Sequence, residues 1–282
     1  MGTQIKKQKV IFIMGATATG KSRLSVDIAA KYSGEIINCD KMQVYRGLNI
    51  VTNKITEAEM KGVPHHLLGN IDPESDFTAQ DFCYYALAVI KRIVRSGKLP
   101  VIVGGSNSFI EALVEDPFFG FRSKYECCFL WTDVSSPVLY SYVGRRVDQM
   151  VDAGLVDEVR DIYDPMADYT RGIRKSIGVP ELHEYLQWET KVDHETAENL
   201  LNVAISDIKS NTCKLTDSQL SKIYRLRKEL RWPIHRVDAT NVFLRRGKEA
   251  EDVWEKQVLQ PSLKIVRDFL NGNKNYVHHH FY

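Results

Sequence analysis

The apolar run Val10-Ile11-Phe12-Ile13-Met14 leads directly into Gly15-Ala16-Thr17-Ala18-Thr19-Gly20-Lys21-Ser22, and that into the helix-like Arg23-Leu24-Ser25-Val26-Asp27-Ile28-Ala29-Ala30. No other stretch constrains the fold as strongly. A strand, a glycine-bounded loop closing in Lys-Ser, and a helix are the full context of a phosphate-binding P-loop. Glycines let the backbone curl so that its N–H groups face an anion. The helix N-terminus adds favourable partial charge. Lys21 supplies a point charge to terminal phosphates, and the Ser22 hydroxyl can ligate Mg²⁺. The loop is expected to bind a di- or triphosphate; it does not say which.

The first half of the chain alternates apolar strands with helical patterns, the mark of a parallel sheet with crossover helices. Glu35-Ile36-Ile37-Asn38-Cys39-Asp40 reads as a strand ending in a carboxylate. Thr78-Ala79-Gln80-Asp81 is a capping box opening a helix to about Arg95, stopped by Gly97. Pro100-Val101-Ile102-Val103 and Cys127-Cys128-Phe129-Leu130-Trp131 are the next strands, and Ser136-Pro137 starts a helix. The chain then reads as mostly helical to about Leu230, with Ile234-His235-Arg236-Val237-Asp238 returning to the sheet. A last amphipathic stretch from Glu249 to Leu270 is interrupted at Pro261.

The predicted fold class is therefore α/β: a P-loop NTPase-like parallel sheet with flanking helices and a helical addition. The expected parts are a P-loop core over 1–135, a helical region over 136–232 completing the nucleotide site, the returning strand over 233–241 and a C-terminal helical segment over 242–282. In open sheets of this kind ligands gather at the carboxyl ends of the strands. Gly15, Asp40 and Gly104 all stand at such ends and are expected to converge.

A net charge of +2 argues against a chain built mainly to grip long nucleic acid. The five cysteines show no CxxC spacing, which fits a reducing compartment. No apolar run approaches the length of a membrane span, and no leader is visible in Met1 to Lys9, so plastid or cytoplasm is expected, with no membrane partner. Nothing in the pattern demands an oligomer, and a monomer is expected.

A second set of motifs is more specific. Asp40-Lys41-Met42-Gln43-Val44-Tyr45-Arg46-Gly47 is followed by Gly62-Val63-Pro64-His65-His66-Leu67-Leu68, Asp72-Pro73, Phe77-Thr78-Ala79-Gln80-Asp81-Phe82 and Val103-Gly104-Gly105-Ser106-Asn107-Ser108-Phe109. With the P-loop, this order closely resembles the isopentenyltransferase family that prenylates adenine at N6. The resemblance continues through Arg146-Val147-Asp148-Gln149-Met150, Arg174-Lys175-Ser176-Ile177-Gly178 and, more loosely, Asn211-Thr212-Cys213-Lys214, and covers most of residues 8 to 240. The family has a tRNA-modifying branch and a free-nucleotide branch that makes cytokinins. The tRNA branch carries a helical insertion after the third strand, whereas this chain passes from Asp116-Pro117 to the Cys127 strand in a short stretch. Gly105-Ser106-Asn107-Ser108-Phe109 also departs from that branch, and there is no C-terminal Cys/His zinc module. The details resemble the plant adenylate enzymes.

The resemblance implies attack of the adenine N6 amine of ATP, ADP or AMP on C1 of dimethylallyl diphosphate, with pyrophosphate leaving and Mg²⁺ as cofactor. Asp40 is expected to be the base, a role the resemblance also gives it, the alternative being a cap or an Mg²⁺ ligand. The resemblance implies Thr17 as a donor to the released oxygen, Lys21 and the loop N–H groups as the diphosphate cradle, and Mg²⁺ on Ser22. Arg146 and Lys175 join the diphosphate clamp by resemblance, though arginines on helices are commonly solvated. Gln43 and Ser106 are expected on the adenine side. Lys214 and Lys222, in a basic helical run that could simply be a solvated face, are expected to meet the nucleotide's phosphates and favour ATP or ADP over AMP. His65-His66 reads as structural rather than metal-binding, because neighbours on a strand face opposite ways. The competing readings are a tRNA dimethylallyltransferase, a P-loop small-molecule kinase and a nucleotide-binding switch. The last lacks an Asn-Lys-x-Asp motif, since Asn53-Lys54 is followed by Ile55-Thr56.

Overall fold

The computed structural model describes residues 7–273. The outer limits of the first and last predicted parts, and the start of the Met1 to Lys9 stretch, lie outside them. Six parallel strands form one sheet in the order β3-β2-β4-β1-β5-β6. They are β1 (Gln8–Met14), β2 (Gly34–Asn38), β3 (His65–His66), β4 (Leu99–Val103), β5 (Tyr125–Asp133) and β6 (Ile234–Asp238). The inner strands are near-continuous apolar runs because helices cover both faces of a parallel sheet. Val10 through Met14 are fully buried. Phe12 stacks on Phe129 at 4.9 Å and meets Phe121 edge-on at 5.9 Å, and Trp232 closes the stack over Phe129 at 4.5 Å.

Strand order places the site. β2, β4 and β1 lie side by side, so their carboxyl ends open into one crevice. The ends are stitched by backbone: Cys39 N–H donates to Val103 O at 2.7 Å, Gly104 N–H to Ile13 O at 3.2 Å and Ser106 N–H to Cys39 O at 3.2 Å. Gly104 has to be glycine, since a Cβ would lie 1.9 Å from the Cys39 carbonyl oxygen.

The helix Ala79–Arg95 begins at the predicted capping box, with Thr78 and Asp81 bonded reciprocally. Pro137 lies in the first turn of the helix Ser136–Asp152. A single helix, His194–Lys228, runs across the molecule. The His65-His66 pair forms β3 and serves structure: His66 Nε2 meets Glu35 Oε2 at 2.7 Å, its Nδ1 meets Arg92 at 3.0 Å, and His65 Nδ1 lies 2.8 Å from Val63 O.

Two predicted boundaries shift. Asp40 stands two residues past the end of β2 rather than within it. The C-terminal stretch is not broken at Pro261: a helix Gly247–Val253 passes through a π-helical turn, Trp254–Leu259, into the helix Gln260–Asn271. Proline lacks an N–H and crowds the carbonyl four residues back. The wider turn lies immediately before Pro261, which takes a first-turn position in the helix that follows.

Candidate active site

The P-loop leaves β1 at Gly15, whose φ is +154° and where a Cβ would come 2.6 Å from Thr132 O. It closes at Gly20, φ +84°, packed so tightly under Trp254 that a Cβ would lie 2.8 Å from the indole. Between them, Thr19 turns inward and bonds Ala16 O at 2.9 Å and Thr132 Oγ1 at 3.0 Å. Its side chain braces the loop and does not face a ligand. Gly15 and Ala16 are buried beneath, while Thr17, Ala18, Gly20, Lys21 and Ser22 line a cleft of about 1350 Å³. That is larger than a pocket for one small molecule, typically ~300–1,000 Å³, and suits two substrates.

Lys21 and Arg146 form the floor. The Lys21 ammonium donates to Ala16 O at 2.5 Å, and Arg146 donates from Nη2 to Thr17 Oγ1 at 2.8 Å. Burial lowers the Lys21 pKa to about 8; Asp40 opposes the shift and Arg146 adds to it. Burial also lowers the Arg146 pKa, against Tyr142 and Asp40. The Arg146 Nε is buried with no hydrogen-bond partner. Two part-buried cations side by side, one with an orphaned donor, make a site that an anion completes.

Asp40 faces them. Its Oδ1 accepts from Met42 N–H at 2.9 Å and Gln43 N–H at 3.3 Å, so the turn after β2 fixes the carboxylate while those two bonds leave Oδ2 uncommitted. Gln43 lines the cleft, its carboxamide donating to Thr52 O at 3.0 Å and Asn53 O at 3.1 Å. Beside it Lys54 donates to Gly47 O at 2.5 Å and Thr52 Oγ1 at 3.1 Å. Burial brings the Lys54 pKa down to about 8, with Glu158 and Asp40 opposing.

Besides Gly15, Ala16 and Thr19 of the loop itself, four expected residues are not brought to the cleft wall. Ser106 starts the helix Asn107–Glu115, and its Oγ accepts from Lys41 N–H at 2.9 Å, so it holds the Asp40 loop rather than lining the site. Lys175 is exposed in the short turn Gly172–Lys175, 4.0 Å from Asp76. Lys214 is exposed and bonded to Asn211 at 3.2 Å, and Lys222 is also exposed. The long helix turns Thr212, Thr216, Gln219, Leu220 and Ile223 inward, which leaves Lys214 and Lys222 off the buried stripe.

The sequence reading missed other cleft residues. Gln219 accepts from Thr17 N–H at 2.7 Å. Tyr142 and Arg145 come from the Arg146 helix, and the Arg145-Arg146 pair was the one signal available for them. Phe243, Arg245, Arg246 and Trp254 come from the C-terminal segment. Arg23 stacks on Trp254 at 4.3 Å and pairs with Glu251, pinning that segment to the P-loop helix.

A family model described as IPP transferase matches residues 43–123 and 116–223. The chain is 56% identical to an adenylate isopentenyltransferase named chloroplastic from Arabidopsis thaliana, over 94% of this chain and 81% of the relative. It is 52% identical to a mitochondrial one from the same plant, over 95% and 82%, and 43% identical to that of Humulus lupulus, over 92% and 89%. The fold is shared with a tRNA isopentenylpyrophosphate transferase from Bacillus halodurans, at TM-score 0.72 and 27% identity over 95% of this chain and 100% of that one. It is also shared with a eukaryotic dimethylallyltransferase acting on tRNA, at TM-score 0.77 and 23% identity over 94% and 80%. With a P-loop after β1, two part-buried cations beside it and a carboxylate past the end of β2, two strands away in the same sheet, the chain belongs to the IPP transferase family, among its adenylate isopentenyltransferases.

Proposed function

We propose that the protein transfers a dimethylallyl group from dimethylallyl diphosphate to N6 of a free adenine nucleotide, the first step of cytokinin biosynthesis. The observation that carries this is the pairing of Lys21 and Arg146 beneath the P-loop with Asp40 across the same cleft. A diphosphate on the loop meets Lys21, Arg146 and the loop amides, which stabilise the charge that gathers on the leaving group. Thr17 Oγ1 already accepts from Arg146, so its own hydrogen is available to donate to the departing oxygen. Asp40, fixed through Oδ1, keeps Oδ2 to hold the N6 amine and take its proton as the new bond forms.

Ser22 stands exposed on the first turn after the loop. The described residues contain no cluster of three or more His, Cys, Asp or Glu. One hydroxyl plus substrate phosphates is the donor set Mg²⁺ takes at such loops, so the residues fit a metal carried in with the diphosphate. When bound, it would neutralise phosphate charge.

ATP and ADP are preferred over AMP in this reading. The support is Arg145, Arg245 and Arg246 in the cleft wall, within reach of extra phosphates. Free nucleotide is favoured over tRNA because Glu115 connects to β5 through only the short helix Phe121–Lys124, without an added helical unit. In this reading the enzyme acts as a monomer. Plastid residence is supported by the chloroplastic relatives. Among the described residues no helix is long and apolar enough to cross a membrane.

The test is incubation with Mg²⁺, dimethylallyl diphosphate and, separately, ATP, ADP, AMP or unmodified tRNA, with products read by mass. One isopentenyl unit added to free nucleotide is expected. Product on tRNA alone, or conversion of ATP to ADP with no prenyl product, refutes the proposal.

A further inference from the structure

The P-loop's own amides should serve a phosphate, yet one of them is given to a protein side chain. Thr17 N–H donates to Gln219 Oε1 at 2.7 Å. Thr17 and Gln219 are 202 residues apart in sequence, and Gln219 is only 8% exposed. Its carboxamide is wedged in place from the other side: a Cβ on Gly105 would fall 2.3 Å from Gln219 Nε2. The Gln219 backbone carbonyl accepts in turn from Asn107 Nδ2 at 3.1 Å. Asn107 opens the helix that follows β4, so the Gln219 clamp spans from the end of β4 to the loop after β1.

We propose that Gln219 is a positioning residue for the transfer step. It anchors the Thr17 backbone while Arg146 anchors the Thr17 side chain at 2.8 Å, and the two bonds together fix where the hydroxyl points. A neutral amide suits this task. It accepts from the N–H without placing negative charge beside a diphosphate, as a carboxylate would. Small displacements of a reacting group cost large factors in rate. The inference rests on the transfer reaction proposed above and assigns a residue that acts on it through Thr17.

A double-mutant cycle tests it. Gln219→Met keeps the volume and removes the acceptor; Thr17→Ala removes the hydroxyl. Gln219→Met is expected to lower kcat roughly tenfold or more, with KM for ATP changed less than twofold. In the Thr17→Ala background the same change should lower kcat less than threefold, because the group it positions is already gone. Equal losses in both backgrounds overturn the proposal, as does a Gln219→Met effect confined to KM or to the melting temperature. Gln219→Glu keeps the acceptor oxygen and decides the matter if Gln219→Met does not fold. Its kcat should stay within about threefold of wild type while KM for dimethylallyl diphosphate rises; a tenfold loss of kcat refutes the role. Wild-type protein that makes no prenylated nucleotide defeats the underlying reaction instead, so the two failures are separable.

Discussion

Raising the pH from 7 to 9.5 should uncouple the enzyme from its diphosphate substrate through Lys21. The ammonium is held against the P-loop beside Arg146, and desolvation there lowers its pKa from 10.5 to about 8. If only the charged form binds the diphosphate, KM for dimethylallyl diphosphate scales as one plus ten to the power (pH minus pKa). With a pKa of about 8, KM is nearly flat up to pH 7.5, roughly tenfold higher at pH 9 and roughly thirtyfold higher at pH 9.5. The assay is initial rate against dimethylallyl diphosphate at fixed saturating ATP and Mg²⁺, in overlapping buffers of constant ionic strength. Lys54 titrates in the same window, but it stands beside Asp40 and Glu158 on the adenine side, so its loss should move KM for the nucleotide. Lys21→Arg separates the two, because a guanidinium keeps its charge throughout and the rise in diphosphate KM should vanish. A flat KM to pH 9.5 in the wild type, or an unchanged rise in Lys21→Arg, refutes the assignment. The linked stability has the opposite trend. The unfolded chain holds the Lys21 proton up to about pH 10.5 while the folded chain releases it above about pH 8. The destabilisation from burying that charge is full below pH 8 and is relieved as pH rises from about 8 to 10.5.

Other expectations are as direct. Asp40→Asn should lower kcat about 10²- to 10⁴-fold with little change in either KM, since the amide keeps the shape but takes no proton; a modest loss of kcat with a large rise in KM would make Asp40 a binding residue only. Gly104→Ala should destabilise by at least ~2 kcal/mol in urea denaturation, because its Cβ meets the Cys39 backbone at 1.9 Å. Gly105→Ala meets only the Gln219 side-chain end at 2.3 Å, so it should cost less stability and mainly lower kcat. Trp254→Ala should destabilise by about 3–5 kcal/mol and raise KM for the diphosphate, since the 2% exposed indole covers Gly20. Arg246→Ala should raise KM for ATP and leave that for AMP unchanged; equal rises would remove the rim arginines from nucleotide discrimination.

The site was legible in unequal parts. The P-loop, the strands before it and beside it, the capping box at Thr78 and the returning strand at Ile234–Asp238 all follow from local pattern. A run of buried apolar residues, a glycine at positive φ and a reciprocal cap are each set within a few residues of chain. The placement of Asp40 followed almost as directly, because a strand end near the P-loop strand leaves little choice of position. The helical charges did not follow. Arg146, Lys175, Lys214 and Lys222 look alike in sequence, as basic residues on helices or turns. Only Arg146 is drawn in against the loop, because its helix packs against the long helix, where Tyr140 bonds Asp217 and Lys209 pairs with Asp148. Periodicity defines a face on a helix but not what that face meets.

The sequence by itself determined an α/β P-loop protein, the position of that loop, the carboxylate across the sheet from it and the family. Only the tertiary structure decided what surrounds that loop. It brought Gln219 onto the Thr17 amide and Trp254 over Gly20, and it left Ser106, Lys175, Lys214 and Lys222 outside the cleft wall. The physical reason is range. Backbone conformation is set by neighbouring residues, whereas the partners of a side chain are set by helix crossings that join positions about two hundred residues apart.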